Sequence, residues 1–295
     1  MLMASSPQVR SGTESYAFSN YIGPLLREWR KEMANKPDST GGFRPVVGLS
    51  AYLTESEFMS AIEGFTSEIM GRMVPNLSPG EIFVEKTPNH ALYAQEIALV
   101  LPKCKIIHIM RDPRDVVASM LRIRQALGVK VSNPDPRSAA QVWRSHVSHA
   151  RMVSHLSNEG RFLEIKYEEL YSSTRSTLEK VFEFVGLRLP ASEIDHYIEM
   201  SSVEKIRNGT SPDIPLSGVA GKEVGSAVKL PREFAGKATV GNWKTDLTTT
   251  EKFWVWYEVG ELMESCGYHW DAPWWYPVGM GVIRSFRPAA RRPQP

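Results

Sequence analysis

The spacing of apolar positions divides the chain into a helical start and an alternating middle. Phe18, Tyr21, Ile22, Leu25, Leu26, Trp29 and Met33 recur at helical intervals and predict an amphipathic helix. Gly23-Pro24 falls inside that run, so a kink or a late helix start is expected there. Phe58, Ile62, Phe65, Ile69 and Met73 predict a second helix, and Thr54 and Glu57 have capping-box spacing at its start. Loops are expected over 35–44 and 75–80. From residue 82 the rhythm changes. I-F-V-E-K (82–86), K-I-I-H-I-M (105–110) and R-F-L-E-I-K-Y (161–167) are short apolar runs that read as strands. Helical patterns follow each of them, ending near Leu101, near Leu127 and at the run T-L-E-K-V-F-E-F-V-G-L. A further helix is expected from about Ser138 to Leu156. Such strand–helix units imply a parallel sheet covered by helices, hence an α/β fold. Val46–Leu49 is a weaker strand candidate, and 203–236 reads as a long irregular loop. The last helix is expected from Thr248 to Cys266, with Gly267 as its stop. Three or four strands are few for a parallel sheet buried on both faces.

Composition narrows the function classes. The chain has 295 residues and a formal net charge of +2, which gives no bulk electrostatic case for nucleic acid or a membrane surface. Two cysteines, Cys104 and Cys266, make no disulfide framework, and a cytoplasmic setting is the default. No segment has the unbroken apolar length of a membrane span, and the first residues lack the pattern of a secretory leader. With no repeat and no clear linker, one domain is expected over 1–270, followed by an aromatic, then basic and Pro-rich tail over 271–295. His, Cys and Asp form no spacing typical of a metal site, so no metal is expected.

The densest chemical signal is R-D-P-R-D-V-V-A-S, residues 111–119. Arg111 follows directly on a strand, at the end where open α/β sheets place ligands. Asp112 suits a helix cap, Pro113 the first helical position and Asp115 the first turn. Ser119 then lies inside a helix whose N-terminus attracts anions, near a guanidinium, an arrangement that suits a phosphate. The same letters also describe a well-capped helix with a surface arginine.

Strand–R-D-x-R-D-x-x-x-S–helix resembles the 3′-phosphate-binding segment of sulfotransferases that use 3′-phosphoadenosine 5′-phosphosulfate (PAPS). V-E-K-T-P-N-H (84–90) is similar to that family's E-K-T-P segment, and K-Y-E-E-L (166–170) with its following helix to its Y-E-x-L segment. G-K-A-T-V-G-N-W-K (236–244) resembles a weaker form of its R-K-G-x-x-G-D-W-K segment, with Gly236 where the family has arginine. The resemblance implies a three-layer P-loop NTPase-like fold with a parallel central sheet flanked by helices. It also implies transfer of a sulfuryl group from PAPS to a hydroxyl or amine. By the same resemblance Arg111 and Ser119 hold the 3′-phosphate, Tyr167 lies near the adenine and Lys237 is a further cation for the nucleotide. Lys86 would face the transferring group. His90 stays outside this set, since a histidine at a helix start is more often a cap or a surface residue.

The stretch V-R-S-G-T-E-S (9–15) has two readings. Arg10-Ser11-Gly12-Thr13 shares letters with the family's 5′-phosphosulfate loop, P-R-S-G-T-T. Against that, no apolar strand precedes Arg10, Pro7 is displaced, and Glu14 would repel the phosphosulfate. S-S-P-Q-V-R-S-G-T-E-S (5–15) matches better the family pattern S-H-P-x-V-x-x-G-x-E-T, which follows the loop and its helix. Glu14 then falls where some members, including those resembling tyrosylprotein sulfotransferases, place a catalytic base. In that register the first strand and the phosphate loop are expected to be missing from this chain. Two other readings stand beside the transferase: a PAP- or PAPS-binding remnant without catalysis, and a small-molecule kinase. The kinase reading needs G-x-x-x-x-G-K-[ST], which does not occur. The acceptor class stays open among small molecules, glycans, lipids and peptides.

Overall fold

A computed structural model describes residues 3, 6–34, 48–127, 135–208, 214–215, 227–228 and 239–270. The tail from 271, Lys237 and most of the expected loop over 203–236 lie outside the described residues, as do Val46 and the loop over 35–44.

Four strands form two parallel pairs. β1 (Val9–Ser11) pairs with β2 (Ile82–Val84), placing Val9 beside Ile82 and Ser11 beside Val84. β3 (Ile106–Met110) pairs with β4 (Phe162–Lys166) over five residues, Ile106 beside Phe162 and Met110 beside Lys166. The single central sheet expected from the sequence is therefore divided among the described residues, with no ladder joining β2 to β3. The side chains of β2 are half-buried and Ile109 of β3 is 55% exposed, whereas parallel strands are ordinarily covered on both faces. β1 escapes the apolar pattern because V-R-S holds a single apolar residue. It forms because Val9 is buried among Leu178, Phe182, Ile82 and Val84.

The helices form where their apolar faces meet. The first begins as a π-helical stretch (Ala17–Ile22) and continues as α1 (Gly23–Ala34). Proline is tolerated because Gly23-Pro24 lies at this change of helix type and not in the middle of a regular α-helix. Gly23 also allows the close approach of Tyr93: a Cβ there would lie 2.1 Å from the tyrosine ring. α2 (Glu55–Met73) opens with the expected Thr54–Glu57 capping box. α1 and α2 bury Ile22, Leu26, Trp29, Phe58 and Ile62 together, and the Trp29 and Phe58 rings stack at 4.1 Å. A 3₁₀ turn (Pro88–Tyr93) leads from β2 into α3 (Ala94–Val100), whose buried Glu96 accepts from Arg27 and Arg30 of α1.

After β3, α4 (Pro113–Leu127) packs with α5 (Pro136–Arg151). β4 is followed by α6 (Tyr167–Ser172), α7 (Thr174–Val185), α8 (Ala191–Met200) and α9 (Val203–Asn208). β5 (Ile214–Pro215) and β6 (Ala227–Val228) make a two-residue antiparallel contact inside the stretch expected to be loop. The short α10 (Trp243–Asp246) precedes α11 (Thr249–Ser265). Val117, Ala139, Trp143, Val147, Val255, Val259 and Met263 make the core shared by α4, α5 and α11. Gly267, with φ of 76°, ends α11 as expected. Leu49 belongs to a 3₁₀ turn (Leu49–Ala51), not to a strand.

Candidate active site at the strand ends

The candidate residues follow the carboxyl ends of the parallel strands, where such sheets present ligands. Glu14 lies three residues beyond β1, Lys86 two beyond β2, Arg111 directly after β3 and Tyr167 directly after β4. They form two clusters.

In the first, Glu14 Oε1 pairs with Lys86 Nζ, joining residues 72 apart in sequence. The other carboxylate oxygen accepts from the Tyr16 hydroxyl at 3.1 Å, which raises the phenol above its ordinary range. Tyr16 has φ of 53°, a left-handed conformation that is uncommon outside glycine. It turns the chain from β1 into the π-helical stretch. The Lys86 side chain is 69% exposed and that of Glu14 is 30% exposed, so the pair is open to a ligand. Beneath it lies Glu85. Its Oε1 accepts from the Ser15 backbone N–H at 3.1 Å, the Ser15 hydroxyl at 2.7 Å and the Thr87 hydroxyl at 2.6 Å. Its Oε2 lies 2.6 Å from His90 Nδ1. Burial works against ionisation of Glu85, but hydrogen bonds from His90, Thr87 and Ser15 outweigh it and hold the carboxyl at about 2. A depressed folded-state value stabilises the fold above the ordinary carboxylate range and is lost as pH falls through it. Urea unfolding midpoints should therefore drop between about pH 4.5 and pH 2, and this drop should be smaller in Glu85→Gln. Equal drops in both proteins would show that Glu85 contributes none of it.

In the second cluster the Arg111 guanidinium lies 4.6 Å from the centre of the Tyr167 ring. Arg111 Nη2 donates to the Thr239 carbonyl at 2.8 Å, and its Nε is buried with no hydrogen-bond partner among the described residues. Burial raises the Tyr167 phenol, against the lowering effect of the Arg111 charge. Asp112 caps α4 as expected, accepting from the Arg114 N–H at 2.8 Å. Asp115, in the first turn of α4, faces inward. It is 2% exposed and accepts from the backbone N–H groups of Gly241 at 2.8 Å and Trp243 at 3.0 Å. Asp115 thus draws the G-N-W-K segment onto the start of α4, and this is what delivers Thr239 to Arg111. The half-buried Ser119 accepts from Arg122 Nη2 at 3.4 Å, and no contact joins it to Arg111 among the described residues. Lys237 lies outside the described residues.

α5 connects the two clusters. Trp143 Nε1 donates to the Arg111 carbonyl at 2.8 Å, and His146 Nε2 lies 3.4 Å from Asn89 Oδ1 in the turn after Lys86. These anchors are three residues apart, about 4.5 Å along the helix axis. Among the described residues no group of His, Cys, Asp and Glu could hold a metal ion, and no helix is long and apolar enough to cross a membrane.

Sequence reasoning missed Glu85, Ser15 and Tyr16, and set His90 aside. The signal available for Glu85 was its place beside Lys86 in E-K-T-P. Nothing local shows that Ser15, 70 residues away, is its partner.

A family model described as "Sulfotransferase family" matches residues 1–191. The chain belongs to the sulfotransferase family. Among similar proteins, the 3-beta-hydroxysteroid sulfotransferase of Cavia porcellus is 27% identical over 164 residues, covering 50% of this chain and 52% of that protein. Sulfotransferase 2A1 of Mus musculus is 26% identical over 157 residues, covering 50% and 53%. This sulfotransferase chain thus spans about half the length of these curated relatives. Among solved structures, mouse sulfotransferase SULT7A1 complexed with PAP aligns over 95% of this chain and 88% of its own, at 17% identity and a TM-score of 0.45. Retinol dehydratase with androsterone and PAP aligns over 86% and 79%, at 15% identity and a TM-score of 0.44.

Proposed function

We propose that the chain transfers a sulfuryl group from PAPS to a hydroxyl, or an amine, of a small-molecule, glycan, lipid or peptide acceptor. The observation that carries this reading is the contact of Glu14 with Lys86. It sets a carboxylate able to take the acceptor proton beside an ammonium able to face the transferring group. The acceptor oxygen attacks sulfur in line, its proton passes to Glu14, and the bond from sulfur to the bridging phosphate oxygen breaks. Lys86 offsets the negative charge that develops on that oxygen as adenosine 3′,5′-bisphosphate (PAP) departs. Orientation and charge stabilisation supply most of the effect, as in phosphoryl transfer.

Arg111 and Tyr167 fit the nucleotide. The Nε of Arg111, buried and without a hydrogen-bond partner among the described residues, is a donor suited to a phosphate, and the ring beneath it offers a stacking surface. Ser119 and Lys237 complete the nucleotide set in this reading. The relative from Cavia porcellus is a hydroxysteroid sulfotransferase by name, which agrees with a hydroxyl acceptor. A second reading, PAP binding without transfer, draws on the separate footing of Arg111 and Tyr167, which reside on elements other than those of Glu14 and Lys86.

Two measurements decide between them. Transfer of labelled sulfate from PAPS to a panel of phenols, sterols, sugars and tyrosyl peptides is expected from the chain. Calorimetry with PAP is expected to show binding that weakens about ten- to a hundredfold in Arg111→Ala, the loss of a charge-assisted contact. Binding without transfer supports the second reading, and neither binding nor transfer overturns both.

A further inference from the structure

Four consecutive backbone N–H groups follow Glu14, and all four end on the Glu85 hydrogen-bond system. Ser15 N donates to Glu85 directly. Tyr16 N donates to the Thr87 hydroxyl at 3.4 Å, Ala17 N to the Ser15 hydroxyl at 3.2 Å and Phe18 N to His90 Nε2 at 3.4 Å. Each of these three intermediaries also faces Glu85: the Thr87 and Ser15 hydroxyls donate to Oε1, and His90 Nδ1 lies against Oε2. The donor directions agree throughout. Each relay group gives one proton to the carboxylate and accepts one N–H from the chain, with the imidazole carrying its proton on Nδ1. The first N–H groups of a helix have no partner within it and are ordinarily capped by a neighbouring residue. Here the cap is a carboxylate 70 residues away, on the strand end that also carries Lys86.

We propose that Glu85, acting through Ser15, Thr87 and His90, is the positioning residue that sets Glu14 opposite Lys86. Lys86 adjoins Glu85 in sequence, and Glu14 adjoins Ser15. One carboxylate therefore fixes both backbones that present the pair. It also holds Tyr16 in its left-handed conformation, which aims the phenol at Glu14. Glu85 is not a second base: both its oxygens are occupied by donors, and it touches no reacting group. The inference rests on the proposed roles of Glu14 and Lys86, but its first test does not require transfer.

Zero-length carbodiimide cross-linking joins a carboxylate to an amine only where the two touch. In the wild-type chain, mass spectrometry should find the Glu14–Lys86 link. In Glu85→Ala its yield should fall about tenfold or more, the scale of several lost hydrogen bonds to a charged group. The Glu199–Lys205 link, at 2.8 Å in the structure, serves as internal control and should not change. Glu85→Gln keeps acceptors for Ser15 and Thr87 and releases chiefly the His90 arm, so its yield should fall between the two. In a chain that transfers sulfate, Glu85→Ala should lower kcat about tenfold or more with KM for PAPS unchanged, and Glu85→Gln should recover part of it. An unchanged Glu14–Lys86 link in folded Glu85→Ala would overturn the proposal, as would a loss confined to KM. A chain that cross-links as expected yet transfers nothing would count against the function and leave the positioning role supported.

Discussion

Glu14→Gln should lower kcat for sulfuryl transfer about 10²–10⁴-fold, the range for loss of a general base. The amide keeps the size and hydrogen-bonding reach of the side chain, so the change isolates proton acceptance. PAP affinity should be unchanged, because the proposed nucleotide residues Arg111 and Tyr167 stand on other elements. The expected signature is a fall in kcat and kcat/KM together, since the interaction lost is one made only in the transition state. Tyr16→Phe makes the comparison sharper. It removes the phenol hydrogen bond to Glu14 and leaves the carboxylate in place, so transfer should persist. Loss of activity in Tyr16→Phe equal to that in Glu14→Gln would move the base assignment away from Glu14 alone.

Asp115→Ala should cost about 2–4 kcal/mol of stability, because it leaves two backbone N–H groups unpaired in a buried place. These are the N–H groups of Gly241 and Trp243, which now bond to a side chain only 2% exposed. Urea denaturation measures the loss directly. Asp115→Asn keeps one acceptor oxygen and should lose less. A second effect follows from geometry. Asp115 holds the segment that brings the Thr239 carbonyl to Arg111, so PAP binding should weaken in Asp115→Ala under conditions where it remains folded. Stability unchanged within about 0.5 kcal/mol, the ordinary range of surface substitutions, would refute the pinning role.

Several features were legible in the chain because their causes are local. The Thr54–Glu57 capping box, the stop at Gly267 and the start of α4 at Pro113 each depend on residues within one helical turn. The three strands read from the apolar-rich segments 82–86, 105–110 and 161–167 appear within those segments. Position at a strand end was legible too and marked Arg111, while the resemblance to sulfotransferase segments marked Lys86 and Tyr167. By contrast β1, V-R-S, has a single apolar residue and so no run to read, and its pairing with β2 depends on the register of a segment more than 70 residues away. Asp115 illustrates the same limit at one residue. Its place in the first turn suits the helix dipole, and an outward-facing carboxylate there would be unremarked. Burial by the 241–243 turn makes it a structural acceptor instead.

The sequence by itself determined the family, several helix starts and stops and the residue types waiting at three of the strand ends, because periodicity, capping and motif spacing act over a few neighbouring residues. Tertiary structure alone decided which of those residues meet. Glu14 reaches Lys86 across 72 positions, Glu85 accepts the Ser15 amide across 70, and Asp115 turns inward to 241 and 243. Each contact depends on strand register and helix docking. Those are set by which apolar faces can be buried together across the whole chain.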